Sequence, residues 1–176
     1  MSDGHIRGRQ SPSSAVRITE APLEARGGLK QILDQSFTGI YLWHARRTLR
    51  SVRWVREAAV GNTQAGLTMS CMLGQGTGYI YYLAVLPSQR ARGVGGVLLD
   101  DALDLLQGSG APEILACVRA DNIPSIRLLR SRNFELTGFS ELVLSKGLAH
   151  AAMLWVRMFV APGEKVYVFR PCPPAT

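Results

Sequence analysis

The chain has 176 residues, 47% of them apolar, and a formal charge of +7. That is enough for one domain with a substantial core and too little for two comfortable ones. No apolar run reaches the roughly 18 residues that span a bilayer, no secretory h-region opens the chain, and the cysteines (Cys71, Cys117, Cys172) and histidines (His5, His44, His150) show no CxxC or metal-ligand spacing. The expectation is a soluble, cytoplasmic protein with no metal site and no membrane partner. Cys71 and Cys117 sit in apolar runs, as buried thiols do.

Residues 1–13, rich in Gly, Ser, Arg and Gln, have little to bury and read as a flexible tail. A first strand is predicted over Ala15–Thr19. Helices follow over Leu23–Phe37, with Gly27-Gly28 as an interruption, and over Leu42–Val52. Trp54–Val60 and Ala65–Leu73 read as strands joined by the Gly61–Gln64 hairpin loop. Tyr79–Val85 is the next strand, after the glycine-rich turn 74–78. A helix then runs to about Gln107, where Gly108, Gly110 and Pro112 end it. Ile114–Val118 reads as an internal strand. Asn122 is a good N-cap, with Pro124 in the first turn of a helix running to about Ser131. Phe134–Ser145 and Ala152–Val160 are expected as two closing strands. Residues 161–176, with four prolines, look like a short extension in which Val166–Phe169 could pair locally. The order is that of an α+β (mixed α/β) domain over residues 14–160.

The segment Arg90-Ala91-Arg92-Gly93-Val94-Gly95-Gly96 carries most of the functional information. An apolar strand enters it and an amphipathic helix leaves it, so backbone N–H groups and the helix dipole converge where an anion can sit. The glycines allow close approach or positive φ, and Arg90 and Arg92 can donate to phosphate oxygens. Val97 and Leu98 stand where a Walker A loop needs Lys and Ser/Thr. The turn lies mid-chain behind an antiparallel meander, and Glu113 precedes the next strand instead of ending it, so the dinucleotide fingerprint does not fit either. A purely structural strand–helix connection stays open on these grounds.

With this turn and the segment Asn122-Ile123-Pro124-Ser125-Ile126-Arg127-Leu128-Leu129-Arg130-Ser131-Arg132-Asn133-Phe134, the chain resembles the GNAT superfamily of acyl-CoA-dependent N-acyltransferases. The two motifs match Arg/Gln-x-x-Gly-x-Gly/Ala and Asn-x-x-Ser/Ala-x-x-Leu/Phe-Tyr-x-x-x-Gly-Phe in a fitting element order, over about residues 14–160. The resemblance implies a central mixed sheet of six to seven strands flanked by helices, and acetyl-CoA as cofactor. It implies that Arg90, Arg92, Gly93, Val94, Gly95 and Gly96 receive the pyrophosphate, that main-chain groups near Leu83 and Val85 pair with the pantetheine arm where two parallel strands splay, and that Asn122 and Ser125 stand beside it. Asn122 can equally be a simple N-cap. Two positions depart from the pattern: Leu129 replaces the tyrosine that protonates the leaving thiolate, and Asn133 replaces a glycine.

Direct acyl transfer to an amine needs an unprotonated nucleophile, a stabilised oxyanion and a protonated leaving group. The family's glutamate base falls near Tyr79. Strand alternation would put Tyr79 and Tyr81 on one face and Tyr82 with Ile80 on the other. The phenols at Tyr79 and Tyr81 can bind substrate or order water, or simply pack against a helix. Glu57 and His44 are the other candidates for the base, His44 having the right intrinsic pKa.

The implied function is transfer of acetyl to a primary amine of a small molecule or a protein. Two alternatives stand beside it: a weak or inactive acyl-CoA-binding sensor or scaffold, and a module targeting RNA or a nucleoprotein through Arg46, Arg47, Arg50, Arg53 and Arg56. Arg46, Arg50 and Arg53 would share one helical face, and the cluster reads as a solvated surface, a polyanion site or part of an acidic-substrate site. If it lined the cleft it would disfavour a cationic acceptor. An exposed edge strand near the C-terminus could support a homodimer.

Overall fold

A seven-stranded mixed sheet in the order β1-β2-β3-β4-β5-β7-β6 organises the computed structural model, which describes residues 15–171. The predicted tail at residues 1–13 lies outside that range, as do His5 and Cys172. Strands β1 (Val16–Glu20), β2 (Trp54–Val60), β3 (Thr63–Met72) and β4 (Gly78–Val85) form an antiparallel meander. The β2–β3 turn is tighter than expected: Val60 pairs with Thr63, and only Gly61, at φ +60°, and Asn62 intervene. β4 then pairs in parallel with β5 (Ile114–Arg119).

Helices cover both faces of the sheet. On one side lie α1 (Lys30–Ser36), preceded by a 3-10 turn at Ala25–Leu29, and α2 (Gly39–Ser51). Ile32, Leu33, Ala45 and Leu49 pack there on Val55, Leu67 and Met69. The predicted Leu23–Phe37 helix is therefore a 3-10 turn that contains the Gly27-Gly28 pair, followed directly by α1. Buried Arg26 locks this layer: its guanidinium donates to the carbonyls of Ala21, Leu49, Val52 and Arg53, satisfying the end of α2 that the helix itself leaves open. On the other face α3 (Val94–Gly108) buries Leu98, Leu99, Ala102, Leu103 and Leu106 at helical spacing, and α4 (Ile123–Arg130) adds Leu129. Asn122 caps α4 as predicted, its Oδ1 accepting from the Ser125 N–H at 3.2 Å.

The C-terminal third departs from the sequence expectation. Of the two predicted closing strands, only Glu135–Thr137 is extended, as β6. Phe139–Lys146 and Leu148–Met158 are helices α5 and α6. An apolar run of this length fits either state by pattern alone, and the ends decide it. Glu141 accepts from the Gly138 N–H at 3.1 Å and from the Thr137 hydroxyl at 2.8 Å, the carboxylate half of a capping box. Gly147, at φ +80°, turns the chain into α6. Buried Ala151, Leu154 and Met158 then recur at helical spacing, while Val156 points to solvent. The remaining strand, β7 (Glu164–Phe169), lies in the segment expected to be an extension. It inserts between β5 and β6, antiparallel to both, so the sheet continues past residue 160 and three-residue β6 forms its edge. Among the described residues no helix is long and apolar enough to cross a membrane.

Candidate active site

The parallel pairing of β4 with β5 is short: Gly78, Tyr79 and Ile80 match Ile114, Leu115 and Ala116, and there it stops. β4 continues to Val85 and β5 to Arg119, held on their outer sides by β3 and β7. Their inner edges thus diverge into a gap lined by backbone polar groups that need a partner.

A one-residue irregularity sets which groups face that gap. Tyr82 pairs with Met69 and Ile80 with Ser70, so Tyr81 is an extra residue in β4, a β-bulge. Ahead of it the Gly78 N–H bonds to Glu113 of the β5 side; beyond it the Leu86 N–H bonds to Ala65 of the β3 side. By alternation Leu83 and Val85 turn their main-chain groups to the gap. The bulge produces this orientation. The same bulge overturns the predicted alternation of side chains. Tyr79, Tyr81 and Tyr82 all lie on the α2–α6 face, whereas Ile80 and Leu83 pack toward α3.

The glycine turn lies at the cofactor end. Gly93 takes φ +79° as the N-cap of α3. The Gly96 and Val97 N–H groups turn back to the Gly93 carbonyl at 2.9 and 3.2 Å. From Arg92 to Gly96, the N–H groups of Arg92, Gly93, Val94 and Gly95 have no backbone acceptor, whereas that of Gly96 is already engaged. A Cβ on Gly95 would meet Leu128, Val85 and Leu83 at 3.4–3.8 Å, on the cleft side. Arg90 donates from Nε to the Val85 carbonyl (3.2 Å), and Arg92 to the Gln89 side chain (3.4 Å); both remain exposed. Sequence reasoning missed Arg132, whose Nη2 lies 2.9 Å from where a Gly96 Cβ would be. It is fixed there by two bonds to Asp100, which hold that carboxyl below its usual range.

A cavity of about 300 Å3 runs through the gap. Its lining passes from Asn122, Ser125 and Leu128 on the α4 side, past Leu83, to Tyr41, His44 and Tyr82 on the other face. His44, on α2, is half-buried. Its Nδ1 lies 2.7 Å from Tyr82 Oη, and its ring stacks on Phe159 with centroids 4.6 Å apart and planes 6° from parallel. Phe159 reaches this place by ending α6 in the left-handed region, φ +53°. Burial, and then the charge of Arg47, lower the His44 pKa, so the imidazole is held neutral. Tyr82 Oη also lies 3.5 Å from the Tyr41 carbonyl. A carbonyl only accepts, so Tyr82, donating to Tyr41, accepts from the His44 Nδ1–H, the tautomer that keeps a lone pair on Nε2; Thr48 Oγ1 lies 3.5 Å from the same Nδ1.

The other catalytic candidates divide. Tyr79 lines the cavity but is buried, and its hydroxyl donates to the Met158 carbonyl at 3.0 Å; burial raises its pKa well above the ordinary phenol value. Tyr81 donates to the Arg157 carbonyl at 3.2 Å and is pushed up to about 12, chiefly by burial. Both pin the end of α6 to the sheet, and neither is suited to accept a proton. Glu57 is on β2, paired with Thr19 and Leu67, and does not line the cavity. Leu129 is buried in the cavity wall and supplies no acid. Cys117 also lines the cavity, but burial pushes its thiol up to about 12; Cys71 is pushed to about 11 for the same reason.

The arginine cluster is dispersed. α2 ends at Ser51, so Arg53 does not share its face; Arg53 lies over the Trp54 ring at 4.9 Å. Arg46 pairs with Asp34 and Arg56 with Asp101. None of the five lines the cavity, which removes the argument against a cationic acceptor. Tyr82, Phe159 and Glu164 of the lining were not found from sequence. The bulge and the two late elements that place them have no local signature.

A mixed sheet whose parallel pair splays beside an open amide cradle, with a cavity leading to a neutral histidine, defines an acyl-CoA-dependent transferase fold. The acetyltransferase (GNAT) family model matches residues 20–134, and the chain belongs to that family. Among solved structures it superposes on the IAA acetyltransferase from Bacillus cereus ATCC 14579 with a TM-score of 0.68 at 16% identity, covering 89% of this chain and 100% of that one. An acetyltransferase of Bacillus subtilis in complex with CoA gives 0.67 at 17% identity over 90% and 100%. The PaiA N-acetyltransferase from Thermoplasma acidophilum in complex with coenzyme A gives 0.65 at 11% over 89% and 99%. Over 59 residues the chain is 42% identical to the mycothiol acetyltransferase of Clavibacter michiganensis subsp. michiganensis, a match spanning 34% of this chain and 19% of that protein.

Proposed function

We propose that the protein is an N-acetyltransferase that moves acetyl from acetyl-CoA to a primary amine. The carrying observation is the continuity of the cavity through the β4–β5 gap, from Asn122, Ser125 and Leu128 on the α4 side to His44 on the other face. The donor set fits the cofactor. The N–H groups of Arg92, Gly93, Val94 and Gly95 suit a pyrophosphate, the main-chain groups of Leu83 and Val85 suit an amide-bearing arm, and Asn122 and Ser125 flank it. When bound, acetyl-CoA supplies an acyl group activated as a thioester.

The chain's own residues supply the rest. His44 Nε2 takes the proton of the incoming ammonium, freeing the nitrogen lone pair. Tyr82 holds the ring in the tautomer that can do so. Phe159 stacks on the His44 ring and Phe37 packs edge-on against Tyr82, which holds both groups in place. Leu129 offers no proton, so the departing thiolate would take one from solvent, to which the attacking nitrogen would release its second as the amide forms. A thiol of pKa near 8.5 is a fair leaving group, so the missing acid limits rate more than reaction class. A cytoplasmic setting, where Cys71 and Cys117 stay reduced, fits this reading.

The test is thiol release from acetyl-CoA in the presence of a panel of primary amines, with CoA affinity measured by calorimetry. Amine-dependent thiol release that His44→Asn abolishes without changing CoA affinity supports the reading. CoA binding with no turnover on any amine overturns it in favour of an acyl-CoA-binding scaffold, and absence of CoA binding rejects both.

A further inference from the structure

The acceptor half of the cavity contains one carboxylate, that of Glu164 at the start of β7. One of its oxygens, Oε2, accepts from the Ala161 N–H at 2.9 Å and closes the turn into the strand. No ion pair within 4 Å involves it among the described residues. Its cross-strand neighbour Arg119 is the cavity's one arginine, and that guanidinium makes a two-point contact with Asp121 instead. This half-buried carboxylate, with no ion pair of its own among the described residues, can attract a cationic group of a ligand in the cavity.

The surroundings suit an ammonium. Phe37, Tyr41, Tyr82 and Phe159 line the same cavity; Phe37 and Tyr82 meet edge-on at 5.0 Å, and His44 bridges Tyr82 to Phe159. Aromatic faces attract an alkylammonium, most strongly where water is excluded. Ser36 Oγ, on the same wall, is buried without a partner and can accept a further N–H. Arg119, the one arginine of the lining, is held by Asp121, so a carboxylate beside the amine would face Glu164 without a guanidinium of its own.

We propose that Glu164 and the aromatic wall of Tyr41, Tyr82 and Phe159 seat the acceptor's ammonium group, and that the acceptor is a primary alkylammonium with an apolar body and no carboxylate adjacent to its nitrogen. This rests on the acetyltransferase reading: Glu164 draws in the protonated amine and His44 deprotonates it. The glutamate is a specificity determinant, and the proton goes to the imidazole.

The test is equilibrium binding to the CoA-loaded protein, so it does not depend on turnover. Benzylammonium is compared with its uncharged isostere benzyl alcohol, and with phenylglycine, which adds a carboxylate. Wild-type protein is expected to bind benzylammonium at least about tenfold more tightly than either. Glu164→Gln keeps an oxygen for the Ala161 N–H but loses the charge, and should erase the preference while leaving CoA affinity and melting temperature unchanged. Equal binding of the three probes, no binding of benzylammonium, or a preference that survives in Glu164→Gln overturns the proposal. A protein that binds CoA and acetylates amines yet shows any of these results loses this inference and keeps the acetyltransferase reading.

Discussion

The two faces of the splayed strands are built in different ways. On the α3–α4 face, the cofactor half comes from short, contiguous segments: four open N–H groups between Arg92 and Gly95, and the cap of α4 at Asn122. On the other face, the proposed acceptor half is gathered from α2, the bulge in β4, the residue that caps the end of α6 and the first of β7. One half depends on backbone groups, the other on side chains held by distant elements. Substitutions should therefore separate the halves, with cofactor affinity failing on one side and turnover on the other.

The largest effect is expected from Gly95→Leu, which drives a side chain toward Leu128, Val85 and Leu83. Loss of several charge-assisted contacts should weaken CoA by at least about 100-fold in calorimetry, with the circular dichroism spectrum intact. His44→Asn should lower kcat by about 10²–10³-fold and leave CoA affinity alone; a parallel loss of affinity would dissolve the division between halves. The pH profile sharpens the same point. A base whose pKa is lowered from 6.5 is active in its neutral form, so kcat/KM should rise on a limb below that value and stay flat above it, and the limb should vanish in His44→Asn.

The tyrosines give a finer contrast. Tyr82→Phe removes the group fixing His44 Nδ1 and should reduce kcat by about tenfold, in line with one lost hydrogen bond. Tyr79→Phe should keep activity and cost about 1 kcal/mol of stability by denaturant unfolding, because it leaves the buried Met158 carbonyl unpaired. Equal kinetic losses from both would place Tyr79 in the reaction after all. The smallest effect is expected of Arg47→Gln. Removing that positive charge should move the pH limb upward, toward the ordinary histidine value, with no change in CoA affinity.

The same division explains what the sequence could disclose. Gly93 is legible because a left-handed N-cap selects glycine, and Asn122 because an N-cap selects a short acceptor; both requirements are met within a few residues. The bulge at Tyr81 is a matter of registry between two strands, and nothing in Tyr-Ile-Tyr-Tyr distinguishes it from even alternation. Residues 139–158 are apolar enough for strand or helix, and the choice rests on Glu141 closing on Gly138 and on Gly147 turning the chain. β7 is hidden between Pro162 and Pro171, so a segment that completes the sheet resembled a tail. His44 is visible as a candidate by its intrinsic pKa, but the Tyr82 and Phe159 contacts that support its proposed role as base come from elements placed only by the fold.

The insertion of β7 between β5 and β6 also bears on how the molecule comes into being. A strand held on both sides cannot be added to a finished sheet, so β6 must wait, unpaired, until residues 164–169 have left the ribosome. The meander, α3 and β5 can assemble earlier from local contacts, and with them the glycine turn. During synthesis the chain should gain its nucleotide-binding end first. The acceptor pocket proposed above would be complete only as the last strand docks, carrying Glu164 into place.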